Sequence, residues 1–241
     1  MIIFHHREFE FAVRENTKIF DRPIQDQDLL QVELLDCSNF DFPHEDLETL
    51  KKCKTLKTLV INIGMISLDF LSAFPMLEDL LLVYWGGAVD FRDFSCLQNL
   101  ESLVVSGGDY SSIPFIETDA LISMKKLTSL TFHEFGTVDL GFLERMPWLE
   151  EFFCGWPNKV TNVSSIGKLI RLQKLTLMDM YLDDLNFLDT LPDTVTLDFI
   201  VEVKNSGYRP EKLRRFIRSE IRMENEKERY TEIEVRPKRE E

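Results

Sequence analysis

The side chains able to carry acid–base or metal chemistry in this 241-residue chain are four histidines, His5, His6, His44 and His133, and 42 carboxylates. A metal site needs three or four ligands brought together, which sequences supply at helical or short-loop spacings. These histidines are scattered, and adjacent His5 and His6 would point to opposite faces of an extended chain. Cys37, Cys53, Cys96 and Cys154 form no CxxC pair. They stand in or beside positions otherwise held by Leu, Ile or Phe, so they read as core packing with reduced thiols. The glycine pairs Gly86–Gly87 and Gly107–Gly108 lack the Lys-Ser/Thr or third glycine of a phosphate cradle and read as tight turns. No nucleophile elbow, zinc-protease helix or dinucleotide fingerprint is present. His133 and Glu134 would make an acid–base pair only if a pocket enclosed both and shifted their titration. The residues therefore assign no catalytic, cofactor-binding or metal-binding role, and the chain does not read as an enzyme.

The elements behind these residues follow one repeated pattern. LxxLxL appears as Leu56, Leu59, Ile61; Leu77, Leu80, Leu82; Leu100, Leu103, Val105; Leu127, Leu130, Phe132; Leu149, Phe152, Cys154; and Leu172, Leu175, Leu177. Degenerate copies at Val32, Leu35, Cys37 and at Thr194, Leu197, Phe199 bring the count to eight, at intervals of 24, 21, 23, 27, 22, 23 and 22 residues. Three, six and nine residues before each strand motif stands a second apolar set, such as Leu68, Leu71, Phe74, in which only Thr118 is polar. Alternation in the motif predicts a strand, and the period of three predicts 3₁₀ or α turns on the opposite side of a coil. The 27-residue unit carries extra length around Tyr110 to Thr118, expected as a bulged loop.

Units of this length and pattern resemble leucine-rich repeats. The resemblance implies an α/β solenoid of about eight repeats, with a curved parallel sheet on the concave face and short helical segments on the convex face. The ninth position of such units is commonly Asn; here it is Phe40, Gly64, Trp85, Gly108, Phe135, Pro157 or Met180, so aromatic packing or irregular turns must replace the Asn ladder. Residues 6–20 followed by Pro23, Ile24, Asp28 and Leu29 resemble the helical cap and first repeat of bacterial internalin-like proteins, with Gln25 where that family has Thr. This implies a bacterial origin and transfers no binding residue. The expected organisation is an N-terminal cap over 1–31, the repeat array over 32–203, and a C-terminal capping helix and tail over 204–241. In that last segment Pro210 would start a helix carrying Leu213, Phe216, Ile217 and Ile221. Thr231, Ile233 and Val235 would add a strand, and 236–241 would fray.

Charge narrows the partners. The net charge is −14, but the first 203 residues hold 16 Lys and Arg against 33 Asp and Glu, so the repeat body carries −17. Such a surface repels phosphate backbones and anionic lipid and attracts basic proteins. No secretory signal or long apolar run is visible, and the expected location is the cytoplasm.

In each strand the residues between the motif leucines point away from the core. They give an apolar and aromatic strip of Val60, Leu81, Val83, Tyr84 and Val104, continued by Phe153, Trp156 and Met178, with His133 among them. Around it lie Glu78, Asp79, Glu101 and Glu134, then Glu150, Glu151 and Asp179. Over eight strands this surface would be about 34 Å long, enough for a standard protein interface. The expected function is a non-catalytic module that holds a basic protein on its concave face, of immunity or inhibitor type. A regulatory or scaffolding subunit of an enzyme such as a phosphatase, or a structural homo-oligomer, is the alternative.

Overall fold

The computed structural model describes residues 2–64, 67–107, 113–216, 218–226 and 229–237. Helix α1 (Arg7–Thr17) leads into β1 (Leu34–Asp41), a turn of helix α2 (Leu47–Leu50), β2 (Thr58–Ile63), β3 (Asp79–Tyr84), β4 (Val89–Asp90), β5 (Ser102–Ser106) and β6 (Phe115–Ile116). The chain continues with β7 (Ser129–Asp139), β8 (Glu151–Thr161), β9 (Lys174–Leu182), β10 (Thr196–Lys204), helix α3 (Pro210–Leu213), β11 (Ser219–Glu226) and β12 (Tyr230–Pro237). The main sheet has ten strands in the order β1-β2-β3-β5-β7-β8-β9-β10-β12-β11. Its first eight strands are the eight motif strands, parallel throughout.

Each coil closes as the two periods require. The motif leucines and their substitutes, from Leu35 and Cys37 to Leu197 and Phe199, are buried to 1% exposure or less. Between strands run 3₁₀ turns such as Leu68–Ala73, Leu140–Arg145 and Val163–Lys168, whose apolar edges meet the strand layer. Three of these turns are capped by side chains: Ser67, Asp90 and Asp139 accept from the backbone N–H two residues on, at 3.2, 3.0 and 2.7 Å. This satisfies donors that a helix start leaves unpaired. In place of an Asn ladder, phenylalanines fill the turn between sheet and convex side. Phe135 stacks on Phe115 at 4.8 Å, and Phe132 lies 5.0 Å from Phe115 and 5.5 Å from Phe91.

Two local expectations are corrected. The extra length of the 27-residue unit includes an element of its own, since β6 pairs in parallel with β4 through Val89↔Phe115 and Asp90↔Ile116. Residues 108–112, which include Gly108 and Tyr110, lie outside the described residues. The C-terminal capping helix is a single turn, α3, and Ile221 belongs to β11. The array is instead closed by a hairpin: Thr231, Ile233 and Val235 line β12 and are buried against β10 through Val203, Val201 and Phe199. Pairing of Ile221 with Val235 of β12 takes this residue out of the helical stripe and into the sheet. Arg236 lies within β12 rather than in a frayed end; Ile217 and 238–241 lie outside the described residues. Among the described residues no helix is long and apolar enough to cross a membrane.

Candidate functional site

Because the parallel strands from β2 to β9 pair in register at their starts, equivalent residues form straight rows across the concave face. The central row is Asp36, Val60, Leu81, Val104, Thr131, Phe153, Thr176 and Asp198. Val60, Leu81, Val104, Thr131 and Phe153 are half-buried and present an open apolar run. Beyond these five residues the row turns polar at both ends. Thr176 is buried, and Asp198 receives the Arg236 Nη1 at 2.7 Å. At the other end Asp36 accepts from the Ser38 hydroxyl at 2.6 Å and its backbone N–H at 3.0 Å, which hold its carboxyl below the usual range. The central row's run from Val60 to Phe153 therefore spans five strands, about 19 Å at ~4.8 Å per strand.

The second row is Asn62, Val83, Ser106, His133, Gly155, Met178 and Ile200. Gly155 makes a hollow in it. A Cβ there would lie 2.7 Å from the Phe153 ring, so the missing side chain lets that ring lean over the gap. Phe153 stacks with His133 at 5.8 Å and an interplanar angle of 23°, and Trp156 closes the group at 4.7 Å from His133 and 6.1 Å from Phe153. Trp156 is 41% exposed and has φ 53°, and the same repeat position has φ 49° at Glu134 and 52° at Asp179. A left-handed residue other than glycine costs about 1–3 kcal/mol. Here the conformation inserts one extra residue into three consecutive strand ends and turns its side chain out of the core. Tyr84 stands at that repeat position without the left-handed turn, so it alternates with Val83, points into the core and is 6% exposed. It is not part of the open strip.

Carboxylates flank the strip on both sides. Asp79 and Glu151 lie in the third row with Thr58, Ser102, Ser129, Lys174 and Thr196. Glu78, Glu101 and Glu150 stand one residue earlier. Their carbonyls accept from Glu101, Thr128 and Gln173 of the next coil at 2.7, 2.9 and 2.7 Å, which fixes where each chain enters the sheet. Glu134 and Asp179 border the opposite side. Lys174, directly beside Glu151, is a cation within this border that only the register reveals. His133 Nδ1 lies 3.4 Å from Glu134 Oε2, with both side chains more than a third exposed or close to it, on the open face. Among the described residues no three His, Cys, Asp or Glu side chains could hold a metal ion together.

Sequence reasoning missed a cleft of about 340 Å³ between α1 and β1, lined by Phe11, Ala12, Leu34 and Phe40 with Glu8 and Glu15. Its signal was Phe11, off the buried Phe9–Val13 stripe of α1 and 60% exposed. Cys37, Cys53 and Cys154 are buried free thiols; burial pushes the first two up to about 12 and raises the third as well. Cys96, expected in the core, is exposed.

No protein-family model matches the chain, and no curated protein is similar to it in sequence. Solved structures are similar in fold. Internalin C2 of Listeria monocytogenes superposes with a TM-score of 0.65 at 16% identity, over 80% of this chain and 82% of its own. A leucine-rich-repeat protein of Leptospira interrogans gives 0.51 at 12%, over 82% and 62%. TLR13 in complex with ssRNA13 gives 0.54 at 17%, over 75% of this chain and 28% of its own. The fold is a leucine-rich-repeat solenoid.

Proposed function

We propose that this leucine-rich-repeat solenoid is a non-catalytic binding module whose concave face holds a basic protein. The observation that carries the reading is the row Val60–Leu81–Val104–Thr131–Phe153, ending in the Phe153, His133, Trp156 cluster and bordered by carboxylates. Aromatic anchors surrounded by a polar rim are the anatomy of protein interfaces. Trp156 is turned outward by the left-handed turn that recurs at Glu134 and Asp179, which sets an aromatic side chain between two carboxylates at the border of the strip. A strip of about 19 Å admits one helix, ~10–12 Å across, or one loop. The partner thus presents a single convex element with apolar residues at its centre and Lys or Arg beside them. The charge of the repeat body supports a protein over a polyanion such as nucleic acid or an anionic lipid surface. An immunity or inhibitor role fits a module that occupies a basic cleft, and a cytoplasmic setting fits its reduced thiols.

The test is affinity capture from the source cells with the intact chain and with Phe153→Ala/Trp156→Ala side by side, followed by titration of the captured protein. The expected result is a basic protein lost by the variant, with affinity weakened at least ~10-fold and association slowed by salt. A partner held equally by both proteins removes the concave face as the site.

A further inference from the structure

We propose that β11 is a self-recognition edge: two copies of the chain pair antiparallel along it about a two-fold axis at Ile221. The sheet has two ends. At one, α1 packs against β1; at the other, β11 pairs with β12 on one side and with nothing on the other among the described residues. Its outer row of backbone N–H and C=O groups is a template for another strand. Monomeric proteins blunt such edges with proline, charged side chains of one sign, a bulge or a covering loop. Ser219–Glu226 contains neither proline nor lysine, its charges Glu220, Arg222 and Glu224 alternate in sign, and its register shift lies beyond them, between Glu224 and Glu226.

The charges along this edge make the occupant a second copy. Residues 218 to 224 read Arg-Ser-Glu-Ile-Arg-Met-Glu. Run antiparallel to itself about Ile221, the segment sets Glu220 opposite Arg222 of the second copy and Arg222 opposite its Glu220. Arg218 and Glu224 meet in the same way at the two ends. All four charge pairs are then opposite in sign, Ser219 meets Met223, and Ile221 meets itself. Sliding the copies by one residue sets Ile221 against Arg222 and loses every one of these pairs, so the register is specified. Within one chain Glu220 and Arg222 already pair at 3.3 Å, both more than half exposed, which is an interaction of little consequence in water and easily exchanged. Met223, 44% exposed, and the half-buried Ile221 would gain cover from their counterparts. An axis normal to the sheet places both concave faces on the same side of one continuous twenty-stranded sheet, so the dimer presents two strips in one direction. The pairing is independent of what those strips hold.

Sedimentation velocity on the full chain over about two decades of concentration should show a shift from 28.3 kDa to twice that mass. Arg222→Glu turns two symmetry-related attractions into repulsions and should weaken self-association ~10-fold or more; Glu220→Arg should do the same. Mixing the two variants restores every pair in a heterodimer, so the mixture should dimerise where neither variant does. That rescue separates a lost edge from a misfolded hairpin. A wild-type chain that stays monomeric throughout, a dimer indifferent to Arg222→Glu, or a mixture that stays monomeric overturns the proposal.

Discussion

The two ends of this solenoid close the same wound, the bared core of a terminal coil, by opposite means. At the N-terminal end α1 lies across β1 and buries Phe9 and Val13 completely, with Phe4 and Phe42 against Phe9 at 5.4 and 5.0 Å. Buried acids tie the lead-in chain down. Asp28 receives Arg22 through two bonds of 2.7 and 2.8 Å and the Gln25 N–H at 2.8 Å, and Asp46 receives the N–H groups of His5 and His6 at 2.9 Å. At the C-terminal end a hairpin buries Ile233 and Val235 by lengthening the sheet. A helix uses up its own backbone bonds and stops a sheet from growing, whereas a hairpin moves the open edge outward by two strands. One end of the molecule is a stop and the other is a site of continuation.

The largest effect should come from removing the apolar pin of the N-terminal cap. Phe9→Ala empties a fully buried aromatic site and should cost ~3–5 kcal/mol, read as a lowered urea midpoint. Each coil in a repeat array touches only its neighbours, so hydrogen exchange should rise in α1, β1 and β2 and stay low in β9 and β10. Equal loss of protection along the whole sheet would mean that the two ends are not separate units, and the contrast would fail.

How far the sequence discloses these features depends on how local their causes are. The strands, the convex turns and the central row follow from alternation and a period of three, because core and surface positions are set within each coil. Tyr84 and Trp156 show where this stops. Both hold the eighth position of their repeats, yet Tyr84 is buried and Trp156 exposed. The difference is one left-handed backbone angle, at Trp156 and not at Tyr84, and neither residue type nor spacing encodes it. Asp198 is covered for a related reason: Arg236, 38 residues away, reaches it through the hairpin. In the C-terminal segment two periods compete. Leu213, Phe216 and Ile221 suggest a helix while Ile221 and Met223 alternate as a strand, and only the pairing of β11 with β12 decides between them.

Acid should separate the two ends next. The Arg22 guanidinium, with the Gln25 N–H, holds the Asp28 carboxyl at about 2, below the ordinary aspartate value near ~3.9. A lowered folded-state value means that this contribution is complete above about pH 4 and is lost as pH falls toward 2. Exchange in residues 22–31 should therefore rise over that interval. Asp28→Asn should show raised exchange there at neutral pH and no further rise in acid. An acid step that persists in Asp28→Asn would assign it to another carboxylate.

The smallest effect should come from the hairpin's ion pairs. Arg236 links β12 to Asp198 of β10 at 2.7 Å and to Glu234 at 2.9 Å, but more than a third of its side chain is in solvent. Exposed pairs of this kind contribute about 0.2–1 kcal/mol, so Arg236→Ala should barely move the urea midpoint and should raise exchange only in β11 and β12. Its consequence for the concave face is larger than for stability, because it frees Asp198 and adds an unpaired carboxylate to that end of the central row. If Arg236→Ala instead detached the hairpin, that end would be held by charge where Phe9 holds the other, since Ile233 and Val235 would not be what keeps the sheet extended.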